Sequence, residues 1–452
     1  MAQNSLKRTN TTDRGVSPPA TKRKVAGTAT NKAVANFFKP ASAKEPEKII
    51  FKTFHDSLLV ARYDDATNIT SRQRPVKIAA FDFDDTLITT KSGLTFARDH
   101  NDWRWWDPTV PGRLKQLDAD GYTIVVVTNQ GTVKLAPDPK SKAPKAEMKS
   151  VQTFKSKVEA VLNQLELPVS LYAATRKDLF RKPRTRTWDQ ILDDYGLKHE
   201  GGVDVSSCIF VGDAGGRDRD KASGSKKDHS SCDRDFAHNV GIQFKTPEEF
   251  FLGEDERPFA RVFEPGAHLE TKLATAMSNA TTALQRENII ELVLFCGSPG
   301  SGKSTFYWTQ MKPQGYERVN QDILKTRDKC MKVATHYIQD EKTSVVVDNT
   351  NADVETRSAW IALAKKLRVP IRLVHFTASA KLCEHNDIVR ALGGDIMNPE
   401  RRTMLPKMAF TGFASRYREP KVEEGFQDIT RVDFQFEGTE EQRRLWSRYW
   451  IS

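Results

Sequence analysis

Ile78-Ala79-Ala80-Phe81-Asp82-Phe83-Asp84-Asp85-Thr86-Leu87 is a short apolar run that breaks abruptly into acids. An apolar run without polar alternation marks a strand covered on both faces, as in a parallel sheet. The acids follow it at the place where open α/β sheets bind ligands, outside the carboxyl ends of the strands. Four further runs have the same form: Thr123 to Val127, Ile209 to Val211, Leu292 to Phe295 and Val345 to Val347, each ending in a polar motif. Strands and helices alternate in the βαβ manner, so the fold class is α/β, with two parallel-sheet domains.

Length sets the frame for that reading. At 452 residues the chain has room for two or three domains of about 150 residues. Residues 1–46 hold few large apolar side chains and are expected to be a disordered basic tail. A first domain is placed at 47–255, a weakly patterned linker at 256–287 and a second domain at 288–452. No apolar run is long enough to cross a bilayer, and the first residues lack the apolar segment of a secretory signal, so an intracellular chain is expected. The five cysteines are dispersed without a CxxC pair, which argues against a disulfide framework or a cysteine-based zinc site. A net charge of +11 fits either a polyanionic partner or an ordinary basic surface.

Asp82 and Asp84 lie two residues apart at a strand end, and such a pair repels unless a cation is supplied. Three more motifs follow in order: Thr128-Asn129-Gln130, Lys182-Pro183 and Val211-Gly212-Asp213. Together the four resemble those of the haloacid-dehalogenase superfamily of phosphotransferases, over about residues 75–252. The resemblance implies that Asp82 attacks phosphorus, and that Asp84 protonates the leaving alkoxide and then deprotonates water. It implies that Thr128 and Asn129 hold the phosphoryl oxygens while Lys182 adds positive charge. Mg²⁺ would be held by Asp82, Asp84 and Asp213, oxygen ligands suited to a hard cation. Asp85 stands where the family commonly has glycine. Asp228 and Asp233 lie near the fourth motif and either supports the metal or, as expected for each, belongs to the surface.

Gly297-Ser298-Pro299-Gly300-Ser301-Gly302-Lys303-Ser304 fits the Walker A pattern directly after an apolar strand, with Thr305 next in the chain. Its glycines let backbone N–H groups wrap the phosphates of ATP; Lys303 reaches the terminal phosphates and Ser304 binds Mg²⁺. Downstream, Asp322 stands in a loop where an acceptor hydroxyl can lose its proton, and Asp348 ends a strand as a Walker B acid would, a second ligand for Mg²⁺. Arg390 is a candidate lid charge over the nucleotide, or a solvated helix residue.

The two motif sets together resemble the bifunctional polynucleotide kinase 3′-phosphatases of DNA repair, over nearly all of the chain after residue 46. Further matching stretches are Tyr122 to Gln130, Arg181-Lys182-Pro183 with Trp188-Asp189, Val211 to Arg217, Thr246 to Phe251, Asp348 to Asn351 and His385-Asn386 to Arg390. The resemblance implies removal of a 3′-phosphate by the first domain and ATP-dependent phosphorylation of a 5′-hydroxyl by the second. Asp322 would then be the general base and Arg390 a contact to the donor phosphates. DNA strand ends and ATP are the implied partners, with a monomer in the nucleus. The competing reading is a fused small-molecule kinase and phosphatase, since each fold hosts many substrates.

The tail departs from the vertebrate members, which carry a forkhead-associated module there; forty-odd residues cannot hold one. Lys22-Arg23-Lys24 reads as a nuclear-import signal or a solvated basic patch. Val34 with Phe37 and Phe38 resembles a sliding-clamp binding box, with Asn31 where that box has Gln. Trp103, Trp105 and Trp106 either line a DNA path or belong to the core.

Overall fold

A computed structural model describes residues 48–63, 66–69, 72–136, 144–219, 227–269 and 284–451. The tail motifs at Lys22 to Lys24 and at Val34, Phe37 and Phe38 lie outside these residues. The described part is built on two sheets. The first takes Ile49–Phe54 (β1), Leu58–Tyr63 (β2), Lys77–Phe81 (β3), Tyr122–Asn129 (β6), Ser170–Ala174 (β7), Ile209–Val211 (β8) and Gln243–Lys245 (β9), in the order β1-β2-β7-β6-β3-β8-β9. Only β1 and β2 run antiparallel to their neighbours. Between β3 and β6 a small hairpin, Ile88–Thr89 (β4) with Arg104–Trp105 (β5), rises beside the end of β3.

The second sheet is wholly parallel, in the order β11-β12-β10-β13-β14. Its strands are Leu292–Cys296 (β10), Glu317–Val319 (β11), Val345–Val347 (β12), Ile371–Phe376 (β13) and Ile429–Val432 (β14). The five apolar runs are thus all strands, and burial on both faces explains why they lack alternation. In β3, Ala79 and Phe81 join one core while Ile78 and Ala80 join the core on the opposite face. Leu292, Leu294 and Cys296 of β10 likewise separate from Val293 and Phe295. Each large side chain so buried contributes roughly 1.5–3 kcal/mol.

Register positions the two sites. Phe81 lies beside Val126 on one side and Val211 on the other, so Asp82, Thr128 and Asp213 emerge at one sheet edge. Val347 lies beside Leu294 and Val319, which brings the glycine loop, Asp348 and Asn320 to one edge of the second sheet. Both β3 and β10 are first in chain order among the parallel strands around them and are flanked on both sides by later ones. Each therefore sits at the switch point where such sheets open a crevice.

The tryptophan cluster belongs to the core. Trp103 is buried, and Trp105 and Trp106 pack half-buried against the same cluster, with Trp103 and Trp105 edge to face at 5.4 Å. The Trp103 ring is committed to that packing, while Trp105 and Trp106 each keep part of their surface open. The described residues of the expected linker also pack. Phe259 bridges Arg217, Arg261 pairs with Asp235 at 2.7 Å, and Phe263 is buried among Leu382, Val389, Phe436, Trp446 and Trp450.

Candidate active sites

The first site forms where β3 stops. The Asp82 N–H donates to the Val211 carbonyl at 2.8 Å, which holds the strand end against β8. The carboxylates of Asp82, Asp213 and Asp233 supply oxygens that all lie within 4.8 Å of one another. Lys182 reaches into this cluster and bonds Asp82 and Asp233, each at 2.8 Å. Three acids facing one lysine leave the cluster short of positive charge, and the all-oxygen donor set fits a hard divalent cation such as Mg²⁺. Burial pushes the Asp82 carboxyl up to about 6 against the pull of Lys182. Burial, then Asp233 and Asp82, hold Asp213 well above the usual carboxylate range. Burial opposes charge on Lys182, but Asp233 and Asp82 outweigh it and hold the ammonium above its ordinary value.

Of the two readings of Asp233, metal support or a surface role, the structure places it with the acids. Asp233 is buried, bonds Lys182 and accepts from the Ala214 N–H at 3.1 Å. Asp228 is half-buried, its carboxylate accepting from Gly215 N–H at 3.1 Å and from Arg217 Nε at 2.9 Å. Asp84, expected among the metal ligands, lies outside the three-acid cluster; Lys157 at 2.8 Å and Gln130 at 2.7 Å hold its carboxylate. Asn129 also differs from expectation. Its amide is spent on the Lys182 backbone, donating to the carbonyl at 3.1 Å and accepting from the N–H at 3.0 Å, so the side chain fixes the lysine. Thr128 is buried beside it and accepts from Gln130 at 3.0 Å. Asp85, at the family's glycine position, has φ +56°, a left-handed conformation glycine adopts at least cost, and its carboxylate accepts from Thr89 at 3.1 Å.

Gly212 has no room for a side chain: a Cβ there would stand 2.3 Å from Asp233 Oδ2. Gly212→Ala is expected to push Asp233 off Lys182 and to cost about 1–3 kcal/mol of stability through overpacking. Measured phosphate release at this site should fall while turnover at the second site persists; unchanged release would contradict the placement of Asp233.

The second site wraps the end of β10. Gly300 is left-handed at φ +77°, and a Cβ there would meet the Cys383 carbonyl at 2.3 Å, so the loop lies directly on the helix Ala380–Leu392. The Lys303 ammonium is buried and donates to the carbonyls of Gly297 at 3.0 Å and Ser298 at 2.6 Å and to Ser301 at 3.3 Å. Burial lowers its pKa, with Asp348 opposing. Ser304 donates to Asp348 Oδ2 at 2.9 Å, so the two expected ligands of Mg²⁺ are in contact. Asn320 donates to the Asp348 carbonyl at 2.6 Å and accepts from the Asp322 N–H at 2.9 Å, which fixes Asp322 relative to Asp348. Asp322, Lys303, Ser304, Thr305, Asp348 and Arg390 all line one cavity of about 1960 Å³, with Pro299 to Gly302. Arg390 pairs with buried Asp387. Arg318 was missed by sequence reading. It stands four residues before Asp322 and donates from Nε to Asp348 at 2.8 Å and from Nη2 to Ser304 at 2.9 Å.

His385 sits behind this loop, fully buried, with Nε2 donating to the Trp446 carbonyl at 2.9 Å. Burial pushes its pKa down to about 4. The folded state therefore favours the neutral ring, and the unfolded chain binds the proton first as pH falls below about 6.5. Stability is expected to be lost as pH drops from there towards about 4. Melting curves across this window should fall less steeply for His385→Asn; identical slopes would contradict the assignment.

Comparison with known proteins follows the same division. Residues 77–251 match the family described as polynucleotide kinase 3 phosphatase, and residues 292–420 match an AAA domain. The bifunctional polynucleotide phosphatase/kinase of Schizosaccharomyces pombe is 40% identical over 379 residues, covering 84% of this chain and 83% of that protein. The polynucleotide 3′-phosphatase of Saccharomyces cerevisiae is 25% identical over 226 residues, covering 41% of this chain but 92% of its own length. With 40% identity over 84% of its length, the chain belongs to the bifunctional polynucleotide phosphatase/kinase family.

Proposed function

We propose that this enzyme removes 3′-phosphates from DNA ends at the Asp82 site and phosphorylates 5′-hydroxyl ends from ATP at the Lys303 site. The observation that carries the reading is the pairing of two separate clusters suited to phosphate, each at the switch point of its own sheet, in a chain similar over 84% of its length to a relative named for both activities. The fused metabolite kinase and phosphatase is not favoured by that relative.

At the first centre the Asp82 carboxylate attacks the phosphorus and the bond to the 3′-oxygen breaks. Asp84, held by Lys157 and Gln130, gives the departing oxygen its proton. Asp84 then takes a proton from water, whose oxygen attacks the aspartyl-phosphate, releasing inorganic phosphate and restoring Asp82. Lys182 neutralises charge on the transferring group. Mg²⁺, held by Asp82, Asp213 and Asp233, would add Lewis-acid stabilisation of the phosphoryl oxygens.

At the second centre Asp322 removes the proton of the 5′-hydroxyl, whose oxygen attacks the γ-phosphorus of ATP and displaces ADP. Lys303 exchanges its loop carbonyls for phosphate oxygens, and Arg390 faces the same cavity. Ser304 and Asp348, in contact at 2.9 Å, would hold Mg²⁺ here, which would offset charge on the phosphate oxygens. Arg327, Arg401, Arg402, Arg416 and Arg443 are among the residues that line the cavity, a charge that suits a polynucleotide acceptor.

Import through Lys22 to Lys24 into the nucleus, a monomeric state, and clamp binding through Val34, Phe37 and Phe38 rest on sequence alone. A competition assay tests substrate class: 5′-hydroxyl oligonucleotides should be phosphorylated in preference to free nucleosides and sugars, and a preference for the small acceptors would defeat the reading.

A further inference from the structure

The carboxyl-terminal segment of the kinase half reaches the loop that follows Lys182. Tyr449 and Trp450 follow the helix Glu440–Trp446 and lie against the loop that carries Lys182. The contact runs through one side chain. Asn239 donates from Nδ2 to the Tyr449 carbonyl at 2.7 Å and to the Pro183 carbonyl at 2.9 Å, and its Oδ1 accepts from the Tyr449 N–H at 2.9 Å. Arg184, the next residue of the loop, donates to the Trp450 carbonyl at 3.4 Å. Pro183 directly follows Lys182, and Asn239 sits on the helix Cys232–Val240, whose first turn carries Asp233.

The same segment is tied to the other centre. Trp446 Nε1 donates to Asn386 Oδ1 at 2.8 Å, and Asn386 Nδ2 donates to the Gly300 carbonyl of the glycine loop at 3.0 Å. Trp446 and Trp450 are both buried in the cluster that contains Phe263. These bonds and the backbone from Trp446 to Tyr449 together link the glycine loop to the Lys182 loop.

We propose that Asn239 and the Tyr449–Trp450 backbone together are positioning elements for the phosphatase, holding the Lys182 loop and the Asp233 helix in register from the kinase half. The physical need is plain: Lys182 bonds two carboxylates at 2.8 Å each, one of them on that helix, so a small shift of loop against helix breaks one bond or both. Asn239 is the side chain that joins the loop, the helix and the carboxyl-terminal segment, and its three bonds are satisfied only when all are aligned. The inference rests on the assignment of Lys182 to the phosphatase centre.

Full-length Asn239→Ala and Tyr449→Phe proteins test it, each assayed for both activities with oligonucleotide substrates. Asn239→Ala is expected to lower phosphatase kcat at least about tenfold with KM within about twofold, because misplaced groups weaken the transition state more than the ground state. Kinase kcat in the same preparation should stay within about twofold. Tyr449→Phe keeps the backbone bonds and loses only the hydroxyl bond to Glu264, so its phosphatase should be unchanged. Unchanged phosphatase kcat in Asn239→Ala overturns the proposal. So does a parallel fall of both activities with the melting temperature, or an equal loss in Tyr449→Phe, since either reports general loss of packing. The underlying assignment fails separately, if Lys182→Ala retains 3′-phosphate release.

Discussion

Asp82→Asn is expected to abolish 3′-phosphate release, by about 10⁴-fold or more, while kinase turnover stays within about twofold of the unaltered enzyme. The amide is close in shape to the carboxylate but lacks the charge that attacks phosphorus. The surroundings argue that the variant still folds. Asp82 shares its site with Asp213 and Asp233, and burial already disfavours its charged form, so neutralising it relieves repulsion. Lys182 keeps Asp233 as a partner at 2.8 Å, so no buried ammonium is left unpaired. The melting temperature should therefore hold or rise. Release of phosphate from a 3′-phosphorylated oligonucleotide, with γ-phosphate transfer measured in parallel, checks this, and loss of both activities in the folded variant would contradict the independence of the sites.

Lys303→Ala is the converse. Kinase turnover is expected to fall about 10³-fold, since one charged donor aimed at transferring phosphate oxygens is removed from a buried site. Phosphatase turnover should persist. The change is not free of structural consequence: the carbonyls of Gly297 and Ser298 lose their bonds to the ammonium, which costs about 1–3 kcal/mol where such groups are buried. A Lys303→Met protein fills the space with an apolar chain and separates lost catalysis from lost packing. Both variants should show the same kinase loss, and a kinase that survives in either would place the phosphate contact elsewhere.

Both sheets and the edges that carry the two sites were legible because their strands are buried on each face and end in motifs whose chemistry is local. What stayed hidden depended on partners distant in sequence. Asp233 stands in Cys232-Asp233-Arg234-Asp235, which reads as a charged surface helix until Lys182 and Arg261 are brought against it. Arg318 occupies a three-residue strand where a charged residue looks solvated; only β11 pairing with β12 turns it onto Asp348. Asn129 was found, but its amide holds Lys182 through the backbone, a contact between residues 53 positions apart. The tryptophans at 103, 105 and 106 were undecided because exposure is a property of packing, and the packing places them against the core. Asp84 shows the limit of spacing as a guide. Two residues from Asp82, it turns to Lys157 and Gln130 instead of joining the acids.

The most direct test of opposite phosphate chemistry at two centres uses one oligonucleotide carrying a 3′-phosphate and a 5′-hydroxyl, incubated with enzyme, Mg²⁺ and γ-labelled ATP. The predicted result is release of unlabelled inorganic phosphate from the 3′ end together with labelled phosphate at the 5′ end of the same strand. No change at either end, with rapid turnover of a free phosphorylated metabolite instead, would contradict it.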